Sequence, residues 1–267
     1  MLELKFFRQL LPMIVVFFST SVSADVLDEI IERGTIRVGV AEFVPWTLKN
    51  KAGELVGFEI DVAKKIARDM GVKPEFKVYV WEDIIPAVQK GEIDIIAGGM
   101  AITPARALKV NFSRPLARSG GVGLATNTRM TFEIESLKQL DSPEIVIATV
   151  TDTFAASVSE TLFANAKVKL FSTRDAAEKE ILEGRAHVYL ASMPEAQFLV
   201  LKHADVVDMP MTEPLVGNSE ALAVKKGEQQ LLNFLDAWVT ARQSDKWLTT
   251  THDYWFNTLE WTKDAAP

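Results

Sequence analysis

Residues 87–98 read Ala-Val-Gln-Lys-Gly-Glu-Ile-Asp-Ile-Ile-Ala-Gly, and residues 180–191 read Glu-Ile-Leu-Glu-Gly-Arg-Ala-His-Val-Tyr-Leu-Ala. Both run from the end of a helical pattern through glycine, two residues and a polar residue into an apolar run that ends on alanine. Glycine after the last helical turn is a C-cap signal, because it takes the left-handed conformation without steric cost. The runs Ile93–Ala97 and His187–Ala191 are short and apolar, as buried strands are. Two α/β units of similar plan account for the repeat.

Working outward from these runs, strands and amphipathic helices alternate. Thr35–Val40 reads as a strand. Phe58–Met70 carries apolar residues at 60, 62, 63, 66, 67 and 70, which is helical spacing, and Gly71 follows as a cap. Phe76–Val80 predicts a strand, and Glu82–Lys90 predicts a helix that Gly91 stops. A second series follows: strand Ile145–Val150, helix Thr153–Phe163, strand Val168–Phe171, helix Arg174–Glu183 stopped by Gly184, then the strand from His187. Such alternation implies parallel sheet with crossover helices. The glycine-rich run Gly120–Thr126 lies between the series, and Asn218–Lys226 follows the second; both are strand-like.

If those two runs cross between the units, the tail from Glu228 returns to the first. It brings Trp238, Trp247, Trp255 and Trp261. The expected architecture is α/β and two-lobed, with a mainly parallel sheet flanked by helices in each lobe and a two-strand hinge. The expected division is 1–24 leader, 25–125 first lobe, 126–218 second lobe, 219–267 return strand and C-terminal helices of the first lobe. A small ligand would bind between the lobes and be enclosed by hinge closure.

Composition narrows the function. The chain has 267 residues and a net charge of −7, which argues against a general nucleic-acid binder. It has no cysteine, so thiol catalysis, disulfides and cysteine-ligated zinc are excluded. His187, His203 and His252 show no metal spacing, and no phosphate or dinucleotide motif occurs. No cofactor, metal or catalytic group is expected. At the N-terminus Lys5 and Arg8 precede an apolar run from about Leu10 to Phe18, and small residues end at Val22-Ser23-Ala24. This is the pattern of a secretory signal peptide cleaved after Ala24. The mature protein is expected in the periplasm, soluble and monomeric.

Arg106 stands just beyond the strand Ile93–Ala97, after Gly98-Gly99 and three residues past Thr103. Open α/β sheets bind ligands beyond the carboxyl ends of their strands. Around it several phrases accumulate. They are Gly53-Glu54-Leu55-Val56-Gly57-Phe58-Glu59-Ile60-Asp61-Val62-Ala63, Trp81-Glu82-Asp83-Ile84-Ile85-Pro86-Ala87-Val88, Gly99-Met100-Ala101-Ile102-Thr103-Pro104-Ala105-Arg106 and Asn111-Phe112-Ser113-Arg114-Pro115-Leu116. In order and spacing they resemble the periplasmic solute-binding proteins of polar amino-acid ABC transporters, the family-3 type. The resemblance covers nearly the whole mature chain and is looser in the second lobe.

The resemblance implies that Arg106 makes a paired contact with a ligand carboxylate. A planar, permanently charged guanidinium suits that task. Gly99 would let backbone N–H groups approach the same anion. By the same resemblance Phe43 and Trp81 are aromatic walls, with Trp46 assigned to the core. Thr153, at a helix N-terminus, offers a backbone N–H to the carboxylate. Three positions depart from the family pattern. Ser192 stands where an aspartate binds the α-ammonium, Ala101 replaces a hydroxyl residue, and Asp152 replaces a glycine. Glu195 and Glu220 are candidates to receive an ammonium instead, and a ligand without ammonium is equally open.

The expected function is capture of a small carboxylate-bearing ligand, an amino acid or related organic acid, and its delivery to an ABC permease in the membrane, without covalent chemistry. The alternatives are a periplasmic dehydratase of the cyclohexadienyl or arogenate type on the same fold, and a solute sensor for a membrane receptor.

Overall fold

The computed structural model describes residues 25–118, 121–258 and 260–266. The proposed leader and its cleavage site lie outside them, as does Gly120.

Twelve strands form among the described residues. They are β1 Thr35–Val40, β2 Leu48–Lys49, β3 Leu55–Val56, β4 Lys73–Val78, β5 Ile95–Ile96, β6 Asn111–Phe112, β7 Val122–Asn127, β8 Val146–Val150, β9 Lys167–Phe171, β10 Val188–Ser192, β11 Val207–Asp208 and β12 Ala223–Val224. The α-helices are α1 Val26–Arg33, α2 Phe58–Met70, α3 Trp81–Lys90, α4 Pro104–Ala107, α5 Phe154–Leu162, α6 Arg174–Leu182, α7 Met193–Lys202, α8 Gln229–Ser244 and α9 Trp247–Asp253.

Two five-stranded sheets result, in the orders β4-β1-β5-β12-β6 and β11-β7-β10-β8-β9. The opening stretch explains why β5 sits at the centre of the first. β1 pairs in parallel with β4 on one side and β5 on the other. Asp94, buried at the start of that run, holds Arg37 and Arg33 at 2.5 Å each and also accepts the Arg37 N–H. One buried carboxylate with two cationic partners fixes the register of β5 against β1. The second sheet repeats the plan, with β10 parallel to β8 and β8 parallel to β9. Gly71 and Gly91 close α2 and α3 at φ 72° and 74°, as their sequence positions foretold.

Two chain segments run between the sheets side by side. Ala117 pairs with Glu220 and Val122 with Val216, both antiparallel. Within the expected strand across residues 218–226, single bridges form only at Glu220. Only Ala223–Val224 joins a full ladder, antiparallel to both β5 and β6. β5 pairs only at Ile95–Ile96 although burial runs from Ile93 to Ala97, whereas β4 begins earlier than expected, at Lys73, and ends at Val78, short of the exposed Val80.

Each sheet carries its own core. In the first, Trp46, Phe58, Ile60 and Ile66 pack with Leu235, Trp238, Trp255 and Trp261 of the tail. Trp238 and Trp255 anchor that tail by donating to Asp69 at 2.9 Å and Asp61 at 2.8 Å on α2. In the second, Leu124, Ile147, Val188 and Leu190 occupy one face, and Ala148, Ile181, Tyr189 and Leu199 the other. No described helix is long and apolar enough to cross a membrane.

Candidate functional site

Between the sheets lies a cleft of about 390 Å³, within the size range of small-molecule sites. Phe43, Trp81, Gly99, Ala101, Arg106 and Glu220 line it from the first lobe. Thr153, Arg174, Tyr189, Ser192 and Glu195 line it from the second. All nine residues singled out from the sequence thus border one cavity.

Arg106 arrives there for a local reason. Thr103 caps the single turn of α4 and accepts the Arg106 N–H at 3.2 Å, with Pro104 at the first helical position. The side chain folds inward and is only 9% exposed. Nη1 donates to the Ala101 carbonyl at 3.1 Å, and Nη2 donates across the cleft to the Asp152 carbonyl at 2.6 Å. The guanidinium also lies 5.4 Å from the centre of the Trp81 ring, a cation–π contact. Burial lowers its pKa to about 10, so it stays charged at neutral pH. Two donors are committed to carbonyls, which leaves three of the five for an anion.

Asp152 is the second-lobe counterpart. It adopts φ 57°, unusual for a residue with a side chain. That conformation presents its carbonyl to the first lobe, where it also accepts the Trp81 Nε1–H at 3.0 Å. Its carboxylate raises the Arg106 pKa, so the charge is felt at the guanidinium. Next to it Thr153 caps α5, accepting the Ala156 N–H at 3.1 Å and donating to the Val150 carbonyl at 2.7 Å.

Phe43 stacks on Trp46 with ring centres 4.2 Å apart and planes 8° apart, and stands 6.1 Å from Trp81. Trp46 is fully buried, as assigned, yet its indole N–H donates to Glu220 at 2.7 Å. Glu220 is thus tied to the first-lobe aromatic wall, and its backbone bridges Ala101 and Ala117. Gly99 behaves differently from expectation. Its N–H donates to Glu59 at 3.0 Å rather than facing an anion. What the glycine provides is room: at φ 64°, a Cβ there would lie 2.7 Å from Trp46 Nε1. Glu59 is wholly buried, its other oxygen has no hydrogen-bond partner, and burial raises its pKa to about 7.

The second-lobe wall is richer in acids than the sequence suggested. Ser192 caps α7 and accepts the Glu195 N–H at 3.4 Å. Glu195, at the third helical position, is 5% exposed, and burial raises its pKa to about 7, with Glu178 adding to the effect and Arg174 opposing it. Arg174 follows the carboxyl end of β9 much as Arg106 follows that of β5. It pairs with Glu178 at 3.4 Å and Asp175 at 3.5 Å. The Tyr189 hydroxyl is fully buried against the Glu195 carboxyl. Arg174 and Tyr189 escaped the sequence reading. The position of Arg174 just past a strand end was the available signal. His187 is structural, accepting the Val146 N–H at 3.1 Å, and no described group of histidines and acids could hold a metal ion.

A family model for bacterial extracellular solute-binding proteins, family 3, matches residues 36–258. A probable amino-acid ABC transporter-binding protein of Haemophilus influenzae is 32% identical over 123 residues, 46% of this chain and about half (48%) of that relative. The L-cystine-binding protein TcyJ of Escherichia coli is 24% identical over 86% of this chain and 85% of its own length. Among solved structures, the ancestral amino acid-binding protein AncCDT-1, described as a precursor of cyclohexadienyl dehydratase, superposes with a TM-score of 0.79 at 32% identity. That match covers 88% of this chain and all of that one. With its two sheets, two crossing segments and intervening cleft, the chain belongs to the bacterial extracellular solute-binding proteins, family 3.

Proposed function

We propose that the protein captures a small carboxylate-bearing ligand, an amino acid or a related organic acid, by closing its two lobes, and delivers it to an ABC permease. The first lobe comprises residues 25–125 and 219–267, the second 126–218, and the mature protein works as a periplasmic monomer after loss of residues 1–24. The carrying observation is Arg106, a buried charged fork with donors to spare that already touches both sides of the cleft. Carboxylate oxygens match the guanidinium's parallel N–H bonds. Bringing the anion in also offsets an otherwise poorly compensated buried charge. Phe43 and Trp81 would cover the rest of the ligand. Because the same guanidinium serves ligand and opposite lobe, binding favours the closed arrangement.

Calorimetric titration with amino acids, 2-oxo acids and aromatic carboxylates tests this. Arg106→Ala should weaken the best ligand about a hundredfold or more, the loss expected for a charged, hydrogen-bonded contact. Unchanged affinity in the folded variant would remove the centre of the reading.

One observation favours a second reading. Glu195 is a buried cleft carboxyl with a pKa near neutrality, as a general acid requires. A dehydratase would use such a proton on the departing oxygen. Incubation with prephenate or arogenate, following loss of substrate, separates it from pure binding.

A further inference from the structure

We propose that the backbone carbonyl of Asp152 is a latch that joins the two lobes through protein groups alone, so that a closed population exists before any ligand arrives. The proposal goes beyond capture itself. It concerns how the lobes stand at rest, whatever acid the cleft takes.

Two first-lobe donors converge on one second-lobe oxygen. Arg106 Nη2 donates to the Asp152 carbonyl at 2.6 Å and Trp81 Nε1 donates to it at 3.0 Å. Among the described residues these are the side-chain hydrogen bonds that cross from lobe to lobe away from the hinge segments. A carbonyl oxygen has two lone pairs and can accept both at once. The Arg106 donor carries a full charge, which makes its bond the stronger of the pair. The donors are also held side by side. The guanidinium lies 5.4 Å from the centre of the Trp81 ring, and Nη1 is tied to the Ala101 carbonyl of its own lobe. No ligand is needed to gather them.

The acceptor is fixed as firmly. On one side the Thr151 N–H donates to the Phe171 carbonyl of β9 at 2.9 Å. On the other, Thr153 donates to the Val150 carbonyl at 2.7 Å and accepts the Ala156 N–H at 3.1 Å. Asp152 stands between these anchors at φ 57°. Left-handed backbone is unfavourable for a residue with a Cβ, though less so for aspartate than for most. It persists where the surroundings over-determine it, and the carbonyl it presents is the one that both donors use. The closed arrangement therefore has bonds of its own. A ligand held by the closed form gains apparent affinity in proportion to the share of closed molecules at rest.

The test measures lobe separation directly. The chain has no cysteine, so a single dye can be placed on each lobe. Lys90→Cys on α3 and Lys179→Cys on α6 serve, their side chains being 69% and 66% exposed. Single-molecule energy transfer is recorded on the mature chain, unfolded in guanidinium to strip bound small molecules and refolded with none added. The expected wild-type record contains a short-distance population. Trp81→Phe keeps a ring and loses the donor, and should lower the closed-to-open ratio about three- to tenfold, the worth of one neutral hydrogen bond. Asp152→Val disfavours the left-handed turn and should lower the ratio more than about tenfold. Asp152→Gly removes the carboxylate yet keeps the turn and its carbonyl, and should retain the closed population. Thermal unfolding checks that each variant is folded. A wild type with a long-distance population alone overturns the proposal, as does a wild-type ratio in Trp81→Phe or Asp152→Val. Loss of the closed population in Asp152→Gly would assign the effect to the carboxylate and overturn it too. A protein that rests open and still binds an acid in calorimetry would lose the latch and keep carboxylate capture.

Discussion

Glu59→Gln isolates the effect of one buried acid on the loop that carries Arg106. Glu59 is inaccessible, and one oxygen accepts the Gly99 N–H while the other is unpartnered. Burial raises its pKa from an ordinary 4.5 to about 7. A carboxyl with a higher pKa folded than unfolded binds its proton more tightly when folded. Its contribution is thus most favourable below pH 4.5, declines as pH rises toward 7, and is constant above. A displacement of some 2.5 units corresponds to about 3 kcal/mol. Glutamine keeps an oxygen for Gly99 and cannot ionise. Urea unfolding of both proteins from pH 4.5 to 8 should give a difference in unfolding free energy that moves by about 3 kcal/mol in favour of the variant, with the change complete near pH 8. The absolute offset depends on the amide's second group, whereas the slope does not. Parallel pH profiles for the two proteins would show that Glu59 titrates normally, and the account of its burial would fall.

Two further outcomes follow from the same wall of the cleft. Gly99→Ala should weaken ligand binding and lower the melting temperature, because a Cβ would meet the Trp46 indole at 2.7–2.9 Å and the backbone sits at φ 64°; titration and thermal unfolding read both, and unaltered values would mean that the loop has slack. Trp46→Phe removes the indole donor to Glu220 and should destabilise by about 1–3 kcal/mol in chemical unfolding.

Much of the architecture was legible because the physics that makes it is local. Helical spacing in Phe58–Met70 and glycine caps at 71 and 91 act over a few residues, and the structure follows them. The segment 218–226 was less legible. Its extended character is plain, but only tertiary pairing decides that Ala223–Val224 join the ladder while Glu220 makes isolated bridges. The same limit applies to the site. Arg106 could be found from its place after a strand. That Glu220 is used by Trp46, distant in the chain, and that Glu195 lies outside the Arg174 ion pairs, could not. Nor does sequence show that the carbonyl of Asp152 makes the contact across the cleft.

The Trp81 N–H reaches across the cleft to the Asp152 carbonyl. Four of the other tryptophans, 46, 238, 255 and 261, are buried in the first-lobe core, at most 5% exposed. Separation of the lobes would strip Trp81 of its hydrogen bond and hydrate its ring, while those four indoles keep their surroundings. The protein thus contains its own optical gauge of lobe separation, read in the colour of its ultraviolet emission. With the lobe closure proposed above, occupancy of the cleft would be followed without label, dye or knowledge of what the ligand is.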